Sequence, residues 1–268
     1  MCATYGFKNS KKGIKSVKGK IKDQGVLFKT TQFRESSLIL RVFLKYRGLV
    51  SILAKGIRKK PENNLLNSLY TYDFTLYEPQ ESGLYLLSEF TLLKEFNLFD
   101  NIPAWTAAEC AAELYTQIII SSEENPAYYD VLQSYMDYLK IRSDNSILLW
   151  WRFLLRIFRM LGIAFPLDLC AVCNKKKLQI VAWEKDTGRL ICAECLKEAN
   201  YPEYYELLTS SAAQILHLLP VIGDYLDKLH PDSQTVEQLN HLFSDHYQNH
   251  FRKPLKLHSL EVLSQFFQ

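Results

Sequence analysis

The chain has 268 residues, 48% apolar and 23% charged, an ordinary composition for a folded protein with room for about two packed units. Its formal net charge of +3 conceals a division: residues 1–60 hold sixteen Lys and Arg against only Asp23 and Glu35, a net +14, and the remainder carries −11. No apolar run reaches the ~20 residues that cross a bilayer, and residues 1–22 lack the apolar core of an export signal, so the expected compartment is the cytoplasm.

Residues 1–22 carry Lys8, Lys11, Lys12, Lys15, Lys18, Lys20 and Lys22 with few apolar groups, and are expected to form a mobile basic arm. From Gln24 to Phe96 the pattern is that of short strands. Candidates are Gly25–Thr31, Leu38–Leu44, Leu49–Lys55, Tyr70–Tyr77, Leu84–Ser88 and Thr91–Phe96. Breaks fall at Arg34–Ser36, Arg47–Gly48, Gly56–Asn64 and Pro79–Gly83. Five or six short strands in so few residues predict a small barrel over residues 23–100, because closure removes exposed sheet edges. A five-stranded oligonucleotide-binding (OB) β-barrel is the natural candidate, although another small barrel would give the same pattern.

The basic excess is concentrated in this barrel. Arg34 lies in the first turn and Arg47 in the second, while Lys55, Arg58, Lys59 and Lys60 run into a polar loop. Cations this dense lower their energy when phosphates replace their counterions, so these six are the candidate DNA-binding residues. Single-strand platforms add aromatic faces. Phe28 and Phe43 read as core, whereas Phe33 and Tyr46 lie nearer loops and suit stacking.

After Pro103 helical spacing takes over, giving an α-helical domain over residues 101–268. Helices are expected at Trp105–Ser121, Ala127–Arg142, Ser146–Leu161, Ser210–Lys228 and Ser233–Phe251. Asp144 or Asn145 can cap the third, which Gly162 follows. Arg152, Arg156 and Arg159 share one face of that helix, and its other residues are apolar enough to be buried.

Residues 167–197 interrupt the helices with Cys170-x₂-Cys173 and, eighteen residues on, Cys192-x₂-Cys195. Two residues between cysteines let one tight turn aim both sulfurs at one ion, and two such turns complete a tetrahedron. The spacing predicts one structural Zn²⁺ in an embedded four-cysteine zinc finger, with a hairpin at Gln179–Trp183 and Arg189–Cys192. A redox dithiol would need a thioredoxin-like βαβ context, which is missing here. Cys110 reads as a small core residue.

Other chemistry is thin. All six histidines lie between His217 and His258, and His246 and His250 share a helix face without a carboxylate in ligand register. They read as surface or core groups. Neither a Gly-rich phosphate loop nor a G-x-S-x-G elbow occurs, so no enzyme is expected.

Three stretches resemble the bacterial recombination mediator family RecO. They are GVLFKTTQFRESSLILRVFLKYRGLVSILAKGIRKK (25–60), WRFLLRIFRMLGIAFPLDLCAVC (151–173) and HFRKPLKLHSL (250–260). The lysine-rich start is outside the usual pattern, Arg252 stands where the family often has Gly, and some members lack the cysteines. The resemblance implies a DNA repair and recombination protein at the nucleoid that binds single- and double-stranded DNA and anneals complementary strands. It further implies interaction with RecR and with single-strand-binding protein, to load RecA recombinase. On that resemblance, Arg152, Arg156 and Arg159 become candidate sites for the acidic tail of single-strand-binding protein. From the residues alone, an RNA- or ribosome-associated binder with a barrel and zinc ribbon remains open.

Overall fold

The computed structural model describes residues 18–267 except 80–82, 99, 177–179 and 186. The chain divides into two compact units between Glu95 and Phe96, ahead of the boundary near residue 100 read from the sequence.

The first unit is a closed barrel of β1 (Lys18–Phe33), β2 (Ser37–Leu44), β3 (Gly48–Ala54), β4 (Thr71–Glu78) and β5 (Tyr85–Lys94). The strand order is β1-β2-β3-β5-β4, with every neighbouring pair antiparallel except β3 and β5. This is the five-stranded, OB-like closure anticipated from the strand spacing. Alternation drives it: Leu38, Leu40, Val42 and Leu44 of β2 point inward against Ile52 and Ala54 of β3 and Tyr72, Phe74 and Leu76 of β4, all buried. Gly25 marks where β1 passes closest to β2, because a Cβ there would meet Val42 Cγ1 at 2.6 Å.

Two expectations change here. β1 begins at Lys18 rather than Gly25, so Lys18–Lys22 of the expected arm are strand, paired with β4 through Lys20↔Tyr77 and Lys22↔Thr75. The lysines alternate with Gly19, Ile21 and buried Asp23, and the Lys20 ammonium lies 5.5 Å from the Tyr77 ring centre. Residues 1–17 of the arm lie outside the described residues. The two strands expected between Leu84 and Phe96 are one, because Phe90 pairs with Phe74 and carries β5 through the polar Ser88–Glu89 step.

The second unit contains α1 (Ile102–Gln117), α2 (Asn125–Ile141), α3 (Ser146–Met160), α5 (Ser210–Leu218), α6 (Ser233–Phe251) and α7 (His258–Ser264). Inserted between α3 and α5 are β6 (Ile180–Glu184), β7 (Leu190–Cys192), α4 (Ala193–Lys197) and β8 (Tyr205–Leu207). Trp150 and Trp151 of α3 are fully buried, and Tyr135 of α2 stacks on Phe153 at 4.3 Å. Asn145 stands at the N-cap of α3, yet its side chain donates to Leu226 O instead of capping the helix. The helix expected over Ser210–Lys228 stops at Leu218 and continues as short 3₁₀ turns, since Pro220 supplies no N–H. Among the described residues, no helix is long and apolar enough to cross a membrane.

Candidate metal centre and nucleic-acid interface

The four cysteines come from three local structures. Cys170 and Cys173 sit on a turn closed by Asn174 N–H donating to Cys170 O, with Asn174 in the left-handed conformation. Cys192 ends β7 and stands at the N-cap of α4, which carries Cys195. The hairpin brings the two turns together, through Ile180↔Cys192 in β6–β7 and Ala171 N–H donating to Leu190 O. The finger also has a third strand, β8, which lies beyond residue 197 and pairs with β6 through Ala182↔Leu207. Three residues are too few to show a period.

The four Sγ atoms lie within 4.8 Å of one another, so the set can hold a metal ion. A tetrahedron of thiolates about 2.3 Å from its ion has edges of about 3.8 Å, which this cluster accommodates. Ala182 and Ile191 pack against the sulfurs, and Cys192 N–H points at Cys170 Sγ at 3.4 Å. Burial pushes the Cys170 thiol up, but the backbone N–H groups of Cys173, Cys192 and Val172 outweigh it and draw it down to about 6. Cys195 is driven the other way, to about 12, by desolvation and by sharing protons with the other three sulfurs. Four crowded sulfurs ionise together only around a cation, and four protein ligands leave no open position for a reacting water.

The finger is seated on α6 within the same unit. Gly188, at φ 67, lies against His246, where a Cβ would stand in ordinary contact, 3.5 Å from its backbone. Trp183 is fully buried, with its ring edge-on to His241. His246 is a core histidine: Nε2 pairs with Ile163 O at 2.7 Å, and burial holds its pKa down to about 4. Cys110 is buried in α1, as its sequence context suggested.

On the barrel, the structure divides the six candidate DNA cations. Arg34, in the β1–β2 turn, and Lys55, Arg58, Lys59 and Lys60, after β3, share one end and are all exposed. They are drawn together by Arg58, whose N–H donates to Ser36 O and whose Nη1 donates to Glu35 O, both at 3.0 Å. The loop beyond them is pinned by the buried Tyr72 hydroxyl, which donates to Leu65 O at 2.6 Å and accepts from Asn67 N–H at 2.8 Å.

Arg47 lies at the opposite end, in the β2–β3 turn. Its Nε meets Glu78 at 3.0 Å and its Nη1 meets Asp23 at 3.2 Å. Asp23 has a fully buried carboxylate that burial pushes up and Arg47 pulls down. Arg47 is thus the counter-ion of a buried acid, which sequence reasoning could not see. Phe28 and Phe43 are buried and stacked, whereas Tyr46 is 60% exposed. A further row crosses the outer face of β1, β2 and β3: Lys29, Arg41 and Ser51 stand in register, and Arg41 Nη1 donates to Ser51 Oγ at 3.0 Å.

Within the helical unit, Arg152, Arg156 and Arg159 do share an exposed face of α3. Arg152 is already engaged, donating to Leu219 O and Pro220 O where Pro220 interrupts α5. On the other side of α3, Trp150 and Leu154 line a cleft of about 510 Å³, closed by Phe243 and by Leu257, Lys256 and His258 of the segment after α6. That segment is tied to α1: the Gln117 amide pairs with the Lys256 backbone, and Glu113 accepts from Ser259 N–H and Oγ. The Trp150 indole N–H is buried and has no acceptor among the described residues.

Comparison with known proteins agrees along nearly the whole described chain. The family model "Recombination protein O N terminal" matches residues 18–96, and "Recombination protein O C terminal" matches residues 100–259. A protein named DNA repair protein RecO from Halalkalibacterium halodurans is 24% identical over 252 residues, covering 90% of this chain and 96% of its own. Its namesake from Clostridium kluyveri is 26% identical over 251 residues, 91% and 95% of the two chains. That from Prosthecochloris aestuarii is 29% identical over 160 residues, 58% and 60% of the two chains.

Proposed function

Because the chain belongs to the recombination protein O family and is therefore a DNA repair protein, we propose that it is a non-enzymatic mediator acting in the cytoplasm at the nucleoid. In this reading it binds single- and double-stranded DNA without base specificity and anneals complementary strands. With RecR, it helps load RecA recombinase onto strands coated by single-strand-binding protein.

The observation that carries the reading is the cationic end of the barrel. Arg34, Lys55, Arg58, Lys59 and Lys60 are exposed together, and none forms an ion pair among the described residues. About five phosphate contacts on a single strand give a log–log salt slope near −3.5, at ~0.7 per contact. Replacing Lys55, Lys59 and Lys60 together by Ala should flatten the slope by about two and weaken all sequences alike. Repeating the titration on a chain that starts at Lys18 removes the lysine-rich segment while keeping β1 whole. Loss of binding in that shorter chain, or a slope untouched by the triple substitution, would refute the barrel as the platform.

The metal is zinc in this reading, one per chain, held by Cys170, Cys173, Cys192 and Cys195. A closed set of four soft thiolates suits it, and its role is to fold the finger.

For the acidic, apolar-ended tail of single-strand-binding protein, the cleft supports docking better than the Arg152, Arg156 and Arg159 face, because it offers apolar walls from Leu154, Phe243 and Leu257 beside a cation at Lys256. Lys256→Ala should weaken a tail peptide more than the triple arginine-to-alanine change. The opposite ranking would return the site to the arginines.

A further inference from the structure

The β1–β2 turn holds an arginine in a conformation that favours glycine. Phe33 pairs with Ser37, so Arg34, Glu35 and Ser36 close the turn, and Arg34 takes φ 55. Its guanidinium lies over the ring of the preceding residue, 5.3 Å from the Phe33 centroid. Arg34 is exposed and Phe33 half-buried, so the pair faces solvent at the cationic end of the barrel.

The turn is braced from the loop after β3. Arg58 Nη1 donates to Glu35 O at 3.0 Å and reaches Arg34 O at 3.5 Å. Its backbone N–H donates to Ser36 O, and Gly56 N–H donates to Ser37 Oγ at 3.3 Å. The carbonyls of all three turn residues are therefore engaged by one arginine.

Resting on the DNA-binding reading of the barrel, we propose that Phe33 and the Arg34 guanidinium form a stacking platform for one unpaired base, and that Arg58 is the positioning residue that holds it. A planar guanidinium over an aromatic ring offers a face that any base can cover, so the contact is indifferent to sequence. In a duplex those base faces are already stacked. The platform thus discriminates single strands from double strands, which phosphate contacts do poorly. A lysine at position 34 would keep the charge and lose the plane.

The test uses the full chain and three probes of equal length: a mixed-sequence single strand, the same strand with abasic positions, and its duplex. The readout is the ratio of affinities for the normal and abasic strands, in which phosphate contacts from any lysine cancel. Arg34→Lys and Phe33→Leu should each reduce that ratio by about 5- to 150-fold, the range for one stacked base, and neither changes the charge, so the salt slope stays as in wild type. Arg58→Met should lower the same ratio, although its own lost charge also flattens the slope slightly. Arg34→Gly guards against a folding artefact: it relieves the left-handed strain, so it should melt no lower than wild type and still lose the ratio. Equal losses on normal and abasic strands would leave Arg34 as a phosphate contact alone and overturn the platform, as would an unchanged ratio in Arg34→Lys. Wild-type protein that binds none of the probes would overturn the barrel reading as well.

Discussion

Acidification should weaken the helical unit through one residue, His246. It is 5% exposed on α6, its Nε2–H donates to Ile163 O, and its ring sits 5.3 Å from Phe158 and 4.4 Å from Phe165. Burial, with a smaller push from the neighbouring His250, holds its pKa down to about 4 against the Ile163 carbonyl, which raises it. An unfolded histidine titrates near 6.5. A depressed folded pKa means the neutral form is favoured by folding, so this contribution is intact above pH ~6.5 and is lost as pH falls toward 4. Linkage between these two values gives a loss of about 2 kcal/mol at pH 5 and about 3 kcal/mol below pH 4. Carboxyls such as Asp245 also titrate, and thiolates that hold a metal give it up in acid, so the comparison must be made against His246→Phe. That variant should be less stable at pH 7.5 by about 1–3 kcal/mol, because it leaves the buried Ile163 carbonyl without a donor. Its deficit relative to wild type should shrink by about 2 kcal/mol by pH 5, read from urea unfolding at each pH. A deficit that stays constant from pH 7.5 to 5 would refute the assignment of His246 as a buried neutral group.

Other outcomes follow from the same contacts. Cys192→Ser should lower bound zinc well below one per chain by elemental analysis and open residues 167–207 to proteolysis; full occupancy with unchanged protection would contradict the tetrathiolate site. Arg47→Met should destabilise the barrel by about 3–5 kcal/mol, since the buried Asp23 carboxylate loses its counter-ion, yet leave the DNA salt slope unchanged; a slope reduced by about one would make Arg47 a phosphate contact after all. Arg252, which ends α6 at φ 54, should be replaceable by Gly with a gain of about 0.5–1 kcal/mol, the relief of left-handed strain exceeding the added chain entropy. A loss in that variant would mean the Arg252 side chain is held by contacts that outweigh the strain.

The sequence carried the barrel because β4 alternates apolar and polar residues and short strand-like runs are separated by turns that hold Gly or charged residues. It carried the metal site because x₂ spacing leaves few geometries for a pair of thiols. It did not carry β1 before Gly25, where alternating lysines look like a solvated arm until Tyr77 and Asp23 are placed beside them. Pro220 hid the end of α5 in an otherwise helical run, while β8 and the Lys256 segment are too short to show a period. The ion pairs of Arg47 were hidden for a different reason: its partners Asp23 and Glu78 are 24 and 31 residues distant, and only the closed barrel brings them within 3.2 Å. Arg252 shows the converse. It closes α6 at φ 54, the left-handed exit that glycine favours, and nothing in an arginine announces that conformation.

The central claim is that this chain is a mediator rather than a generic binder of nucleic acid. The direct measurement is annealing of two complementary strands precoated with the cognate single-strand-binding protein, followed beside the same strands left bare. The account predicts that the wild-type chain anneals both, and that Lys55, Lys59 and Lys60 replaced together slow both. Annealing of bare strands that stalls on coated ones would contradict it.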